Sequence, residues 1–190
     1  MENTSVTLST GKLEGELNAG GTAIGNGSVS NVKNASITIS GGTLTYMTDH
    51  PDKEYFAPVR GGGVSMNGGT ANVDNAVINI TNGAKLNSEY TQIWAGGVNE
   101  SGEGEAHTGN AVINITNADL SENHVYGGSD MATVGTATIN IDNSSVKSIF
   151  AGGYDDVVDQ TTINISGDSK VYKIITSGST NSTVKKTTVN

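Results

Sequence analysis

The sequence predicts an all-β fold, a parallel β-solenoid of about six to seven coils with roughly 25 residues per coil and loop insertions. Three observations predict this fold: a recurring strand motif, a turn residue at a fixed place after each motif, and a small supply of apolar residues. We expect residues 1–190 to form one domain. Because the chain begins and ends inside the repeat, we also expect it to be a piece of a longer repeat protein.

The strand motif is a short run of branched aliphatic residues that alternate with Asn or Thr. Residues 76–80 and 111–115 are identical, and Thr-Ile-Asn-Ile recurs at 138–141 and 162–165. The first branched residues of the copies are separated by 31, 41, 35, 26, 24 and 26 positions, and they are Val6, Ile37, Ile78, Ile113, Ile139, Ile163 and Val189. Since repeats of a solenoid stack on their neighbours, we expect these residues to lie directly above one another.

The residues around this motif define the path of one coil. Alternation along a strand turns Ile78 and Ile80 inward and Asn79 outward. The outward column is predicted to contain Thr7, Thr38, Asn79, Asn114, Asn140, Asn164 and Thr188. A bend follows at residues that tolerate positive φ, namely Gly41, Asn82, Asn117, Asn143 and Gly167. A second bend is predicted at Gly-Gly pairs, so each coil consists of strand, bend, strand, Gly-Gly bend and short strand.

Composition favours this fold over two other β folds. Hydrophobic residues make up 34% of the chain, and 26 residues are Gly. A solenoid has a narrow core, so it needs fewer apolar side chains than a broad core does. An antiparallel sandwich would need hairpins and strands every 8–12 residues or so, and propeller blades repeat at about 40–50 residues. The repeat in this chain fits neither spacing.

Charge and residue usage limit the classes of partner. The formal net charge is -9 and Arg60 is the sole arginine, which argues against binding to nucleic acid or to anionic lipid. The chain has no Cys, so it has neither disulfides nor thiolate metal ligands. It also lacks an apolar run of about 18 residues, so we expect no membrane insertion by this segment. A bacterial extracellular or cell-surface location is predicted, with signal and anchor regions outside the chain.

The repeats resemble those of a known class of bacterial surface proteins. Thr-Ile-Asn-Ile, the Asn or Gly turn after it and Val-Tyr-Gly-Gly with its variants are similar to the passenger regions of autotransporters and adhesin-like proteins. The resemblance covers nearly the whole chain and implies a right-handed, single-stranded parallel β-helix of the pectin-lyase-like type. It is specific for architecture and weak for function, because such folds carry adhesins, polysaccharide lyases and phage tailspikes.

The longest insertion, residues 46–59, concentrates side chains that a plain spacer does not need. It holds both prolines of the chain together with His50, Tyr55 and Phe56, which we take as candidate binding residues. One interpretation is a lateral lip that binds a glycan or a protein. The other, which the sequence favours, is a loop that covers an apolar patch or closes the end of a coil.

Two acidic segments are weak candidates for a Ca²⁺ site. The insertion 98–109 carries Glu100, Glu103, Glu105 and His107, and a second cluster contains Asp155, Asp156 and Asp159. Oxygen ligands suit Ca²⁺, but the spacing matches no EF-hand and no calcium-binding nonapeptide repeat. Solvated loops are the favoured interpretation of both segments, and we expect no cofactor.

An aromatic stripe is predicted on the outer face of the coils. The residue just before the small residues of each Gly-Gly bend follows an apolar residue that should face inward. Alternation along the strand therefore turns this residue outward. This column contains Arg60, Trp94, Tyr126, Phe150 and Ile175. The three aromatic residues fall on consecutive coils at a spacing of about 5 Å. One interpretation is a platform that binds sugar rings or a partner. The other is a ladder of rings that stabilise one another, and the sequence favours the ladder.

The function predicted from these features is non-catalytic. We expect an adhesin-like stalk or binding surface for a glycan or for a protein of a host or neighbouring cell. Two alternatives stay open: a polysaccharide lyase or hydrolase of the pectin-lyase-like type, and a purely structural spacer. Catalysis has weak support because the carboxylates cluster in loops, and the strand positions that would present them hold Asn, Thr and Ser.

Overall fold

The computed structural model describes residues 1–45, 58–86 and 91–190, and within these ranges the regular structure is β-strand and all strand pairing is parallel. The strands form four sheets, here named A to D. Sheet A carries the long strand of each coil: β1 (Asn3–Leu8), β5 (Val29–Ile39), β9 (Thr70–Thr81), β13 (Glu105–Thr116), β15 (Thr133–Asp142), β17 (Val157–Ser166), β19 (Thr183–Val184) and β20 (Thr187–Val189).

The other three sheets form the remaining sides of the coils. Sheet B contains β2 (Lys12–Glu14), β6 (Thr43–Thr45) and β10 (Lys85–Leu86). Sheet C contains β3 (Leu17–Asn18), β7 (Val59–Arg60), β11 (Gln92–Trp94), β14 (Asp119–Tyr126), β16 (Ser145–Phe150) and β18 (Lys170–Ile175). Sheet D contains β4 (Thr22–Ile24), β8 (Val64–Met66) and β12 (Val98–Asn99), and single bridges at Asp130 and Tyr154 continue it.

The register of sheet A confirms the predicted solenoid. Each predicted anchor pairs with the anchor of the next coil, from Val6 opposite Ile37 to Ile163 opposite Val189. Ile113 pairs with Ile78 on one side and with Ile139 on the other. Ile113 and Ile139 are 0% exposed, because the other sheets close over the inner face of sheet A. Branched aliphatic residues therefore fill one narrow interior that continues from coil to coil.

A ladder of side-chain amides runs along the outer face of sheet A. Asn114 Nδ2 donates to Asn79 Oδ1, and Asn140 and Asn164 each donate to the Asn of the preceding coil, all at 2.8 Å. The last member is Asn190, which donates to Asn164 at 2.8 Å. The prediction of Thr188 for this place is wrong, because Val189 pairs with Ile163 and the next residue therefore stands over Asn164.

The predicted bend after the long strand is present, with one refinement. Positive φ falls on the predicted residues Asn117 (52°), Asn143 (47°) and Gly167 (61°). In the earlier coils it falls one residue later, on Gly42 (73°) and Gly83 (100°). At Gly83 the reason is steric, because the left-handed conformation costs less on Gly than on the preceding Asn82, whereas Gly41 and Gly42 are sterically alike.

The Gly-Gly bend is a corner at which the backbones of neighbouring coils touch. A Cβ atom on Gly97 would lie 2.0 Å from the carbonyl oxygen of Gly63, and one on Gly153 would lie 2.0 Å from that of Ser129. The same carbonyls accept hydrogen bonds from Val98 N at 3.0 Å and from Tyr154 N at 2.9 Å. Since no side chain fits at Gly97 and Gly153, neighbouring coils contact each other there through backbone.

In the described ranges of the chain, no helix is long and apolar enough to span a bilayer.

Candidate binding groove at the outer corner of sheets C and D

The three aromatic residues of the predicted stripe form a stacked ladder on the outer side of sheet C. Strands β11, β14 and β16 carry them in register, so Trp94 pairs with Tyr126 and Tyr126 with Phe150. The ring centroids of Trp94 and Tyr126 are 4.1 Å apart, and those of Tyr126 and Phe150 are 4.7 Å apart. The ring planes differ by 9° and 11°. The ladder interpretation of the stripe fits this geometry.

The stripe faces away from the interior as predicted, and two of its members are covered rather than exposed to solvent. Trp94 is 4% and Tyr126 is 2% exposed, although neither belongs to the interior core cluster, while Phe150 is half-buried. The physical reason lies in the Gly-Gly corner. It brings Tyr154 of the sheet D side over the ladder, with its ring 5.5 Å from Trp94 and 5.7 Å from Tyr126.

This packing changes what the aromatic residues can do. Tyr126 has a ring stacked on each face, and its hydroxyl lies 3.4 Å from the hydroxyl of Tyr154. Burial raises the pKa of Tyr126 far above its ordinary value, and the contact with Tyr154 adds to this effect. The faces of Tyr126 are therefore unavailable to a sugar ring, and the role of the ladder is to fix the corner.

Arg60 occupies the next place in the same column. It pairs in register with Trp94 on one side and with Asn18 on the other. Only 9% of Arg60 is exposed, and its Nη1 donates to Glu16 Oε2 at 2.8 Å. Asn18 Nδ2 donates to the same carboxylate oxygen at 3.1 Å. Across the described part of the chain, the enclosed Arg60 Nε has no acceptor, so the guanidinium is held in place but is incompletely paired.

A groove of about 390 Å³ lies where the outer faces of sheets C and D meet. Its apolar wall residues are Pro58, Trp94, Met131 and Tyr154, and its polar ones are Arg60, Gln92, Asp130 and Asp155. Two of the predicted binding residues, Arg60 and Trp94, thus share one groove, together with the predicted acidic residue Asp155. Tyr126 and Phe150 continue the stack from Trp94 on the next two coils and do not line the groove.

The carboxylates around Arg60 are electrostatically coupled. Desolvation raises the pKa of Asp130, the Arg60 guanidinium lowers it, and Asp155 and Asp156 raise it further. Partial desolvation likewise raises the pKa of Glu100, with Arg60 opposing this rise and Glu16 and Asp130 adding to it. Among the described residues that line it, the groove therefore combines one cation, Arg60, with two carboxylates, Asp130 and Asp155, and burial raises the pKa of Asp130 above that of a free carboxyl.

The three aspartates proposed as weak metal candidates have separate roles. Asp156 is 2% exposed, and it accepts hydrogen bonds from Ser129 N at 2.9 Å and from the Ser182 hydroxyl. Burial raises its pKa, and these hydrogen bonds oppose the rise. Asp155 accepts from Asn181 at 2.7 Å, and Asp159 accepts from Lys185 at 2.6 Å. No group of three or more acidic, His or Cys residues suited to a metal ion occurs among the described residues.

The predicted insertion 98–109 is shorter in the structure. Val98–Asn99 is strand β12, and the chain rejoins sheet A at Glu105, so Glu105 and His107 are strand residues. Asn99 closes the short loop between them, because its side-chain amide donates to Gly104 O at 2.8 Å and accepts from Gly104 N at 3.3 Å. His107 Nδ1 lies 2.8 Å from the hydroxyl of Thr133 on the next coil.

The candidates His50, Tyr55 and Phe56 lie outside the described residues, as does most of the insertion 46–59. At its end, Pro58 lines the groove and Val59 enters the interior as a residue that is 0% exposed. The binding role assigned to these three side chains stays a prediction.

Sequence reasoning missed several residues of the groove. Gln92, Asp130, Met131 and Tyr154 line it, and Glu16 holds Arg60. A usable signal existed in the residues after the Gly-Gly pairs, because Val98, Asp130 and Tyr154 form one bridged column. Each lies four residues after Trp94, Tyr126 or Phe150, but Ser129 stands where the other coils have their second Gly, which hides this column from an alignment on the Gly-Gly pairs.

Comparisons with protein-family models, with curated proteins and with solved structures gave no match for this chain. Its function must therefore be inferred from its own residues.

Proposed function

We propose that this chain is part of an adhesin-like, non-catalytic β-solenoid on the outside of a bacterium, a stiff stalk with a binding surface for glycan or protein partners. The observation that carries the proposal is the unbroken register of sheet A from Val6 to Val189. At about 4.8 Å per strand this sheet spans about 30 Å. A rod of this kind is stabilised by contacts between neighbouring coils, so it can be extended without a new core.

Further features support display outside a cell. The first is the similarity of the strand motif and the Gly-Gly motif to those of autotransporter passengers. The second is the absence of Cys in the sequence, which is compatible with secretion. The net charge of -9 favours solubility of the exposed rod. The groove at the corner of sheets C and D is the feature that goes beyond a bare spacer, because it gathers polar and aromatic side chains in a concave site.

One alternative has a specific observation in its favour. A general acid in polysaccharide cleavage is expected to have a raised pKa. The carboxyls of Asp130 and Glu100, beside Arg60, have this property. Against a lyase stands the pairing of Arg60, since its guanidinium donates to Glu16 and offers no acceptor for a proton of the substrate. The non-catalytic proposal is therefore preferred.

The test measures binding and turnover on the same preparation. The folded chain is applied to a glycan array and to immobilised extracellular-matrix proteins, with the heat-unfolded chain as control. It is also incubated with neutral and acidic polysaccharides, and new reducing ends and unsaturated uronates are measured. We expect saturable binding by the folded chain and no product. Product formation would establish the enzymatic alternative, and absence of binding on every surface would leave only the spacer.

A further inference from the structure

We infer that the groove at the corner of sheets C and D is a binding site for a neutral saccharide, oriented by hydrogen bonds to Arg60, Gln92 and Asp130. The inference rests on the proposed function and names the site and the ligand class within it. A saccharide presents hydroxyl groups and patches of C–H on the same small surface. The groove offers the complement, with four apolar and four polar side chains around about 390 Å³.

The size of the groove favours a small ligand over a protein. Sites for small molecules commonly enclose about 300–1,000 Å³, whereas a stable protein interface covers about 800 Å² on each partner. A groove of about 390 Å³ lies in the first range. A protein partner could use it only as a pocket for one side chain.

The charge of the groove favours a neutral ligand over an anionic one. Arg60 is the one cation among the described residues that line it, and Glu16 already pairs with it at 2.8 Å. Asp130 and Asp155 line the groove as well, and Glu100 is close enough to Arg60 and Asp130 for their charges to shift its pKa. A uronate or a sulfated sugar would meet an excess of negative charge here, while carboxylates are good acceptors for sugar hydroxyls.

The aromatic geometry disfavours a cationic ligand. Recognition of an ammonium group uses the open face of an aromatic ring. Tyr126 is stacked between Trp94 and Phe150, and the strand neighbour of Trp94 on its other side is Arg60, which already carries a positive charge. Trp94 and Tyr154 therefore act as apolar walls of the groove.

The polar groups are fixed before a ligand arrives. Arg60 is buried and held by Glu16, and Gln92 is only 6% exposed on a strand of sheet C. Rigid groups lose little conformational entropy on binding, which favours affinity. The unpaired Arg60 Nε is a cost to the fold, and a buried group kept at such a cost is a common feature of functional sites.

The test is a titration of the whole chain with cellobiose, maltose and lactose as neutral probes and with digalacturonate as the matched acidic probe. Trp94 is the sole tryptophan and lines the groove, so its fluorescence reports binding at this place. We expect a saturable change with at least one neutral probe and none with digalacturonate. We expect Asp130→Ala and Gln92→Ala each to weaken binding at least tenfold, and the control Asp168→Ala, at an exposed turn residue, to bind like the original chain.

Circular dichroism establishes that each variant is folded, and the two groove variants serve as independent tests in case one fails to fold. Unchanged affinity in both would overturn the assignment of the groove. Preference for digalacturonate would overturn the neutral ligand. If both groove variants still bound the glycan array, the groove would be rejected as the binding site and the adhesin-like function would stand. If the original chain bound nothing on any surface, the adhesin-like function itself would be rejected.

Discussion

The interior column of branched aliphatic residues and the outer ladder of aromatic rings are two regions with the same register and opposite orientation. Ile113 and Ile139 face the inside of the coil and are 0% exposed. Trp94 and Tyr126 face away from the inside, yet they are 4% and 2% exposed. The two regions differ in what buries them. The coil itself encloses the isoleucines, while the Gly-Gly corner brings Tyr154 over the aromatic rings. A residue that faces away from a solenoid core is therefore not necessarily in water.

The largest effect is expected from the interior. Replacing Ile113 by Ala leaves a cavity between Ile78 and Ile139, and it should lower the free energy of unfolding by about 3 kcal/mol. The measurement is denaturant unfolding followed by circular dichroism. The matched control is Val112→Ala, on the outer face of the same strand, with a loss below about 1 kcal/mol. Equal losses at both sites would contradict the assignment of inner and outer faces.

A nearly equal effect is expected from the outer ladder if it is a second core. Tyr126→Ala removes a ring stacked on two neighbours and should cost about 2–3 kcal/mol, whereas Tyr126→Phe removes only the hydroxyl near Tyr154 and should cost about 1 kcal/mol or less. Unfolding is followed by the fluorescence of Trp94. A loss below about 1 kcal/mol for the alanine variant would show that the ladder is exposed after all.

A smaller effect is expected from the amide ladder on the outer face of sheet A. Asn140→Ala breaks the hydrogen bonds to Asn114 and from Asn164, each 2.8 Å long, and should cost about 1–2 kcal/mol. Thr138→Ala, on the same face of the same strand, is the control and should cost less. The comparison is made by melting temperature. Equal melting temperatures for the two variants would show that the amide hydrogen bonds add nothing to the stability of the stacked coils.

The smallest effect concerns protons at the outer corner. Desolvation is the main cause of the raised pKa of Asp130, so the folded chain holds this proton to a higher pH than the unfolded chain does. This contribution to stability is present below the unfolded pKa and is lost as the pH rises through the folded pKa. We expect the melting temperature to fall as the pH rises above about 4, the ordinary pKa of an aspartate, and Asp130→Asn to flatten this dependence relative to Asp168→Asn. If the melting temperatures of the two variants changed with pH in the same way, the carboxyl of Asp130 would be solvated in the folded chain.

The sequence was sufficient for the parts of the fold that depend on alternation and stacking. The anchors, the Gly or Asn bends and the stacking of Trp94 on Tyr126 all follow from a period of two along each strand and parallel register between coils. Burial of the outer ladder could not be predicted this way, because it depends on the angle at the Gly-Gly corner. The groove was missed for the same reason: Tyr154 and Trp94 lie on different sheets and on different coils.

The identical register of successive coils has a consequence for how such a chain can change in length. Ile78 and Ile139 both pair with Ile113, and the amides beside them pair in the same way. Deleting the 26 residues from one anchor to the next would therefore bring Ile139 onto Ile78 with the isoleucine and amide ladders of sheet A intact. Growth or shrinkage by complete turns preserves this register of sheet A, whereas the loss of a single residue shifts a whole face. Evolution can thus tune the reach of this molecule in steps of one layer.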